Sequence, residues 1–465
     1  MQLTLQIVIT DESGSSRTEE LMTIQKSGET RNDIGLSVSE SKLLLNTVQQ
    51  SVVQLQADEY TQHHIRCPHC LAARRIKGKQ KIRYRTLFGV IPVSGLRVYR
   101  CRCEESDTKT VSLLSDWAGD YSHPALKYIE TRWASMISYE MTTRLLKDIL
   151  PVGHSLNAST VRNHLCQVAQ RLDADAEAEA HSGFLSGCPR DWGNLPRPGK
   201  PLVVGIDGGY VRDRDDKKRN FEIIAGKSFS VGAPADTRRF GFVQKDDCHP
   251  ERRLMTHLSA QGMQANQQIF FLSDGADNLR DLQFGMYPES THVLDWFHIT
   301  MRLKVLMQYA RGLLVSDPEA GSKVLALLES IKRYLWHGNV VAALEHIDNC
   351  VMYCDDPELS YPSLKSLQKH LDEMYTYIRN NKMMIPNYGE MRRYGEPVST
   401  AFVESTINEV IARRMAKKQQ MQWSRKGAHY LLQTRTAVLN NELQDKFVCW
   451  YPGFQSDGKG PAMAA

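Results

Sequence analysis

Three short apolar runs each end in an aspartate, and this constrains the fold more tightly than any other feature of the chain. They are PLVVGIDGGYVR (201–212), QIFFLSDGAD (268–277) and THVLDWFH (291–298). Runs of this length, rich in Val, Ile and Phe, read as buried strands. A carboxylate at the end of a buried strand costs free energy unless it holds a cation or exchanges a proton. Asp207 and Asp274 also have a plainer account: Asp-Gly-Gly and Ser-Asp-Gly are good turn chemistry. Asp277 is a fallback for Asp274.

After Asp207 come a charged turn (RDRDDKKRN), a strand (FEIIAGKSFSV) and a third strand around RRFGFVQ. A helix near 250–263 follows, then the strand ending at Asp274. Three hairpin-linked strands, a helix and a fourth strand able to lie beside the first form the order of an RNase H-like sheet, with Asp207 and Asp274 on neighbouring strands. A fifth strand then meets a helix, with Asp295, Trp296 and His298 at the junction. Trp296 and His298 are as readily core residues as functional ones. Beyond a helical stretch, Glu404 lies three, six and seven residues before Ile407, Val410 and Ile411. That spacing sets it on the apolar face of a helix, aimed at the sheet. An acid favouring the helix dipole is the alternative; a capping box is excluded by Ala401.

Cys67-Pro-His-Cys70 and Cys101-Arg-Cys103 flank a β-rich segment. Two cysteine pairs around short hairpins have the layout of a zinc ribbon, in which four thiolates on Zn²⁺ replace a core too small to form. His64 and His69 are possible substitutes. The other six cysteines, Cys166, Cys188, Cys248, Cys350, Cys354 and Cys449, read as core or incidental thiols.

Net charge is only +5, but Tyr60–Arg102 holds eleven Lys/Arg and Val410–Arg435 seven, each without an acid. A solvated face mixes signs, so these stretches point to a polyanion, and neither is an amphipathic membrane anchor. Arg74, Arg75, Lys77, Lys79, Lys81, Arg83 and Arg85 are set to meet phosphates. Between 141 and 172, two helices joined at Pro151 and a Gly-bearing turn have helix-turn-helix spacing, the second starting at Asn157 or Ser159. Val161, Leu165 and Val168 would face the first helix, leaving Ser159, Thr160, Arg162, Asn163 and His164 exposed to read DNA. A plain helical hairpin is the alternative. At 24% charged and 42% hydrophobic, the chain is an ordinary folded protein with no run near the ~20 residues of a membrane span. Its start lacks the features of a secretory signal, so a cytoplasmic setting is expected.

The predicted class is α/β: an RNase H-like core with an all-helical insertion, preceded by a small zinc ribbon and a helix-turn-helix region. The expected boundaries are a strand and helix region (1–60), the basic ribbon (61–120), the helix-turn-helix (121–181) and a linker (182–200). The core occupies 201–310 and 398–445 around the insertion (311–397), with a tail at 446–465.

These motifs together resemble bacterial insertion-sequence transposases with a DDE core, most closely the ISKra group, from about Arg66 to Asn440. CPHC, CRC, STVRNHL, GIDGGYVR, FLSDGADNLRDLQ, LDWFHITMRL and TAFVESTINEVIARRM carry the likeness. It implies Asp207, Asp274 and Glu404 as the catalytic triad and Asp295 with His298 as a D-x-x-H element. It further implies divalent-metal cleavage at element ends and joining of the freed 3′ hydroxyl to target DNA. On that footing Asp207 bridges two Mg²⁺ (or Mn²⁺) ions, with Asp274 and Glu404 each holding one. His298 positions a phosphate, and Trp296 or Trp423 stacks on an unpaired base. Arg413, Arg414, Lys417, Lys418, Arg425 and Lys426 clamp the DNA backbone. Gly208 and Gly209 leave room for that backbone beside Asp207. A reaction on two ends implies double-stranded DNA as partner and a homodimer or larger assembly. Two alternatives stand beside it: a nuclease that stops at hydrolysis, and a zinc-containing DNA-binding regulator with vestigial acids.

Overall fold

The structure is a computed structural model that describes residues 1–455 apart from 11–13, 30, 32–33, 105–107, 183–195, 197, 217, 245–249, 265, 358, 400–404 and 416–420. The chain divides into two units, Met1–Val168 with Asn441–Ala465, and Ala169–Asn440. Among the described residues no helix is long and apolar enough to cross a membrane.

In the first unit, β1 (Gln2–Thr10) and β2 (Ser16–Gln25) form an antiparallel hairpin. The sequence suggests a polar stretch after β1, yet Leu21, Met22 and Ile24 give β2 an inner face. Helix α1 (Val38–His64) opens on a capping box in which Ser37 and Glu40 satisfy each other's main-chain N–H. Its Val53 and Ala57 close over Ile82, Ile91 and Val93 of β3 (Ile76–Thr86) and β4 (Gly89–Tyr99). The basic ribbon thus shares its core with α1, which supplies two of the seven buried residues, and β5 (Thr110–Ser112) adds a third strand. Helices α2 (Leu114–Ala118), α3 (Pro124–Met136), α4 (Tyr139–Ile149) and α5 (Ala158–Ser182) follow. Asn157 is the residue that caps α5, its Oδ1 accepting from Thr160 N at 3.0 Å.

The second unit is built on a mixed sheet. Strands β6 (Leu202–Asp213), β7 (Asn220–Ser230) and β8 (Ala233–Phe242) make an antiparallel meander. Helix α6 (Pro250–Ala260) returns the chain so that β9 (Ile269–Ser273) pairs parallel to β6. Helix α7 (Asp277–Met286) then leads to β10 (Thr291–Leu294), parallel to β9. Strand order is β10-β9-β6-β7-β8. Leu202, Val204 and Ile206 face α6 and α7. Val203, Phe270 and Leu272 face the other layer, formed by α8 (Trp296–Ser316), α9 (Pro318–Trp336), α10 (Val340–Cys354), α11 (Leu364–Asn380) and α12 (Tyr388–Arg393). A short β11 (Gln422–Trp423) then pairs with the far end of β6, and α13 (Arg425–Leu439) packs its Leu432 near Gly241 of β8.

The expected tail is a correction. Helix α14 (Leu443–Trp450) returns to the first unit, where fully buried Phe447 meets Tyr128 edge to face at 5.3 Å. Most of the expected linker lies outside the described residues.

Candidate active site

Strand register brings the acids together. β6 and β9 pair from Leu202 with Ile269 to Gly205 with Leu272, and the same register continued by two residues sets Asp274 beside Asp207. β9 and β10 pair up to Ser273 with Leu294, and one further residue sets Asp295 beside Asp274. Side chains alternate along a strand, so Asp207 and Asp274 share the face of Val203, Phe270 and Leu272. Three aspartates thus stand in a row across three adjacent strands: Asp207 midway along β6, and Asp274 and Asp295 just past the carboxyl ends of β9 and β10, the end of parallel strands at which open sheets carry their ligands.

Burial pushes the Asp207 carboxyl up to about 6; the charges of Asp274 and Asp295 act in the same direction, against a hydrogen bond from Gly208 N and the nearby His298. Asp274 closes an Asx turn, its Oδ1 accepting from Ala276 N at 3.0 Å. The turn and the functional account of this residue are therefore compatible. The fallback Asp277 is exposed and paired with Arg280. Asp295 is fully buried and caps α8, accepting from Phe297 N at 2.8 Å, with its other oxygen 3.6 Å from His298 Nε2. Three carboxylates with one partly exposed imidazole and hard oxygen donors fit a divalent cation by chemistry. In this structure their ligand atoms are not drawn within 4.8 Å of one another, as those of the four cysteines are among the described residues.

Glu404 lies outside the described residues. Shortly after it, Asn408–Ala412 is a π-helical turn, with Arg413 N donating to Asn408 O; such turns are frequent at functional sites. Fully buried Arg435 of α13 donates from Nε to the Glu409 carbonyl at 3.1 Å, and Arg239 bonds the Glu409 carboxylate at 2.7 Å. The glycines beside Asp207 correct an expectation. A Cβ on Gly209 would lie 2.8 Å from Ile411 Cδ1, and one on Gly208 2.7 Å from Glu222 Oε1. Protein fills the space assigned to DNA, and the glycines admit the segment after Glu404 and a carboxylate of β7.

A polar chain under the Asp274 turn escaped sequence reasoning. Burial pushes His292 down to about 4, so it is neutral at physiological pH. Gln283 Nε2 donates to Ser290 Oγ at 2.9 Å, which turns its Oε1 to His292 Nδ1 at 2.5 Å. His292 Nε2 then accepts from Ser273 Oγ at 3.1 Å, and Ser273 Oγ accepts from Gly275 N at 3.1 Å. No pattern in the sequence distinguishes these residues from ordinary polar ones.

In the first unit, Cys67, Cys70, Cys101 and Cys103 bring their sulfurs together, with Cys67–Cys103 and Cys70–Cys101 at 3.4 Å and Cys70–Cys103 at 3.6 Å. A zinc tetrahedron with Zn–S near 2.3 Å has edges of about 3.8 Å, so the four cysteines are compatible with a structural zinc site. A knuckle positions the first pair: Leu71 N donates to Cys67 O at 2.9 Å, and Leu71 takes a φ of 59°. A hydrogen bond from the Cys103 N–H is the largest influence holding the Cys101 thiol down to about 7. His64 instead stacks on Tyr60, and neither it nor His69 joins the cluster. Cys350 and Cys354 are buried core thiols, as expected.

The expected DNA contacts divide. Lys77, Lys79, Lys81 and Arg83 are exposed on β3, and Arg75 is exposed against Tyr99. Arg85 is half-buried, and Arg74 is paired with Glu104 beside Cys67. Ser159, Arg162 and Asn163 are exposed on α5, with Thr160 half-buried at its cap. His164 is a correction: it is 7% exposed, bonded to fully buried Glu130 and to Ser122 Oγ. Arg414 is another, at 3% exposed and stacked over Trp423, itself buried. Trp296 packs against Trp336 and Tyr388, which accounts for its ring. Arg413 and Lys426 are exposed, Arg425 pairs with Asp213 at 3.4 Å, and Lys417 and Lys418 lie outside the described residues.

No protein-family model matches this chain, and no curated protein matches it either.

Proposed function

We propose that the chain is a DDE-type DNA transposase whose second unit is an RNase H-like core. The observation that carries this reading is the shared register of Asp207, Asp274 and Asp295 across three adjacent parallel strands, with the Asp207 carboxyl raised to about 6. The strand order, an antiparallel meander joined to two parallel strands, and the layer of helices ahead of the segment bearing Glu404 support it. So do the motifs that resemble the ISKra group.

Asp207, Asp274 and Glu404 are the proposed ligands of two Mg²⁺ or Mn²⁺ ions. When bound, such a pair activates the attacking oxygen and stabilises the leaving oxygen of an in-line displacement. The chain itself supplies the placement: Asp274 stands between Asp207 and Asp295 in the row, and Asp295 holds the start of α8 and the His298 ring. The half-exposed His298 then meets the substrate phosphate. Lys77, Lys79, Lys81 and Arg83, spaced along one strand, suit the backbone of double-stranded DNA at element ends, and α4 with α5 is proposed as the helix-turn-helix reader. Holding two ends calls for a homodimer or larger assembly, working in the bacterial cytoplasm at the nucleoid. Incubating the protein with pre-cut ends, target DNA and Mg²⁺ should give joined product in wild type and none with Asp207→Ala. Nicks without joining identify a nuclease, and undiminished cleavage by Asp207→Ala overturns the site.

A further inference from the structure

We infer that the helical layer α8–α12 is the positioning device of the acid row, acting through Tyr377, Asn381 and Tyr388. The inference rests on the functional reading above and names what sets its geometry.

Two tyrosine hydroxyls of this layer reach into the sheet and end on main-chain carbonyls at the acids. Tyr377 of α11 donates to the carbonyl of Asp274 itself at 3.0 Å. Tyr388, fully buried at the start of α12, donates to the carbonyl of Leu294, the residue before Asp295, at 2.7 Å. Burial raises both phenols above their ordinary pKa, so each stays a donor at any physiological pH. Arg302 of α8 lies over the Tyr377 ring at 4.2 Å and fixes its plane.

Asn381 completes the contact. It is 5% exposed, bonds the Tyr377 carbonyl from Nδ2 at 2.9 Å, and its Oδ1 has no hydrogen-bond partner among the described residues. That oxygen lies 2.5 Å from where a Cβ on Gly275 would stand, and Gly275 has a φ of 86°. Only glycine meets both conditions, the left-handed backbone and the close approach. The Asp274–Gly275 turn is thus held between Tyr377 and Asn381 on one side and Ser273 with His292 on the other. Fixing the Asp274 carbonyl fixes the peptide plane after Asp274, and with it the direction of the carboxylate. Residues that orient a ligand in this way commonly change metal affinity by about 10–100-fold when removed.

The test uses the full zinc-loaded chain and Mn²⁺ as probe. Tyr377→Phe, Tyr388→Phe and the double variant each lose only hydroxyl oxygens; Tyr353→Phe, elsewhere in the helical layer, is the control. Calorimetric Mn²⁺ titration should show dissociation constants raised about tenfold in Tyr377→Phe and more in the double variant. Hydrogen exchange should quicken at the Gly275 and Ala276 amides, while Tyr353→Phe matches wild type. Unchanged Mn²⁺ affinity in the double variant overturns the inference alone, as does loss of affinity without any change in exchange at the turn. Wild-type protein whose Mn²⁺ binding is untouched by Asp207→Asn overturns the functional reading and the inference with it. Should Tyr388→Phe lower the melting temperature, Tyr377→Phe, whose ring is only half-buried, decides the matter.

Discussion

Asp207 is held in a state that its own fold disfavours. Its folded pKa, about 6, stands above the ordinary 3.8, so between those values the folded chain binds the proton more tightly than the unfolded one. The stabilisation is complete below pH 3.8 and is lost as pH rises through about 6. Without added divalent metal, Asp207→Asn should therefore raise the melting temperature at pH 7 by about 2–5 °C and flatten its fall between pH 4 and 6. Calorimetry without chelator, so that the cysteine site is undisturbed, checks both. Arg435 is the opposite case, a buried cation retained by a carbonyl. Arg435→Leu should cost about 2–4 kcal/mol in denaturant unfolding, because it leaves the part-buried Glu409 carbonyl without that donor. Two misplacements at this scale were avoidable. His164 falls three residues after Val161 and four before Val168, and Arg414 falls four after Val410, so helical periodicity already sets both on buried faces. Their polar chemistry suggested DNA, and phase was the better guide.

At the scale of elements, the strands that carry or lead into Asp207, Asp274 and Asp295 were legible because buried strands write themselves as short apolar runs, although β6 continues past Asp207 to Asp213. Their register was not: it depends on contacts between segments far apart in sequence, and so does the Tyr377 bond to Asp274. The β3–β4 ribbon was legible from its cysteines, but its cover, α1, was not, since nothing in the ribbon names the helix that closes over it. Metal analysis should give one zinc per chain. Cys70→Ser or a strong chelator should remove it and expose the β3 and β4 amides to exchange, while β6 and β9 keep their protection.

For the whole molecule, the proposed function divides the work between the two units. The exposed row on β3 belongs to the first, and the acids belong to the second. Replacing Lys77, Lys79, Lys81 and Arg83 together by Gln should reduce the slope of log K against log salt for duplex DNA by about three to four, with melting temperature unchanged. Filter binding across a salt series measures it. An unaltered slope would assign the DNA contacts to other cations.

The row of acids also has a history within each molecule's synthesis. A ribosome adds about 5–20 residues per second, so Asp207 emerges several seconds before Asp295, and Tyr377 and Tyr388 later still. Until β9 and β10 have docked, each carboxylate is an isolated solvated acid with nothing to align it. The nascent chain consequently passes most of its time on the ribosome unable to assemble the site, and competence arrives late, as a step of tertiary closure.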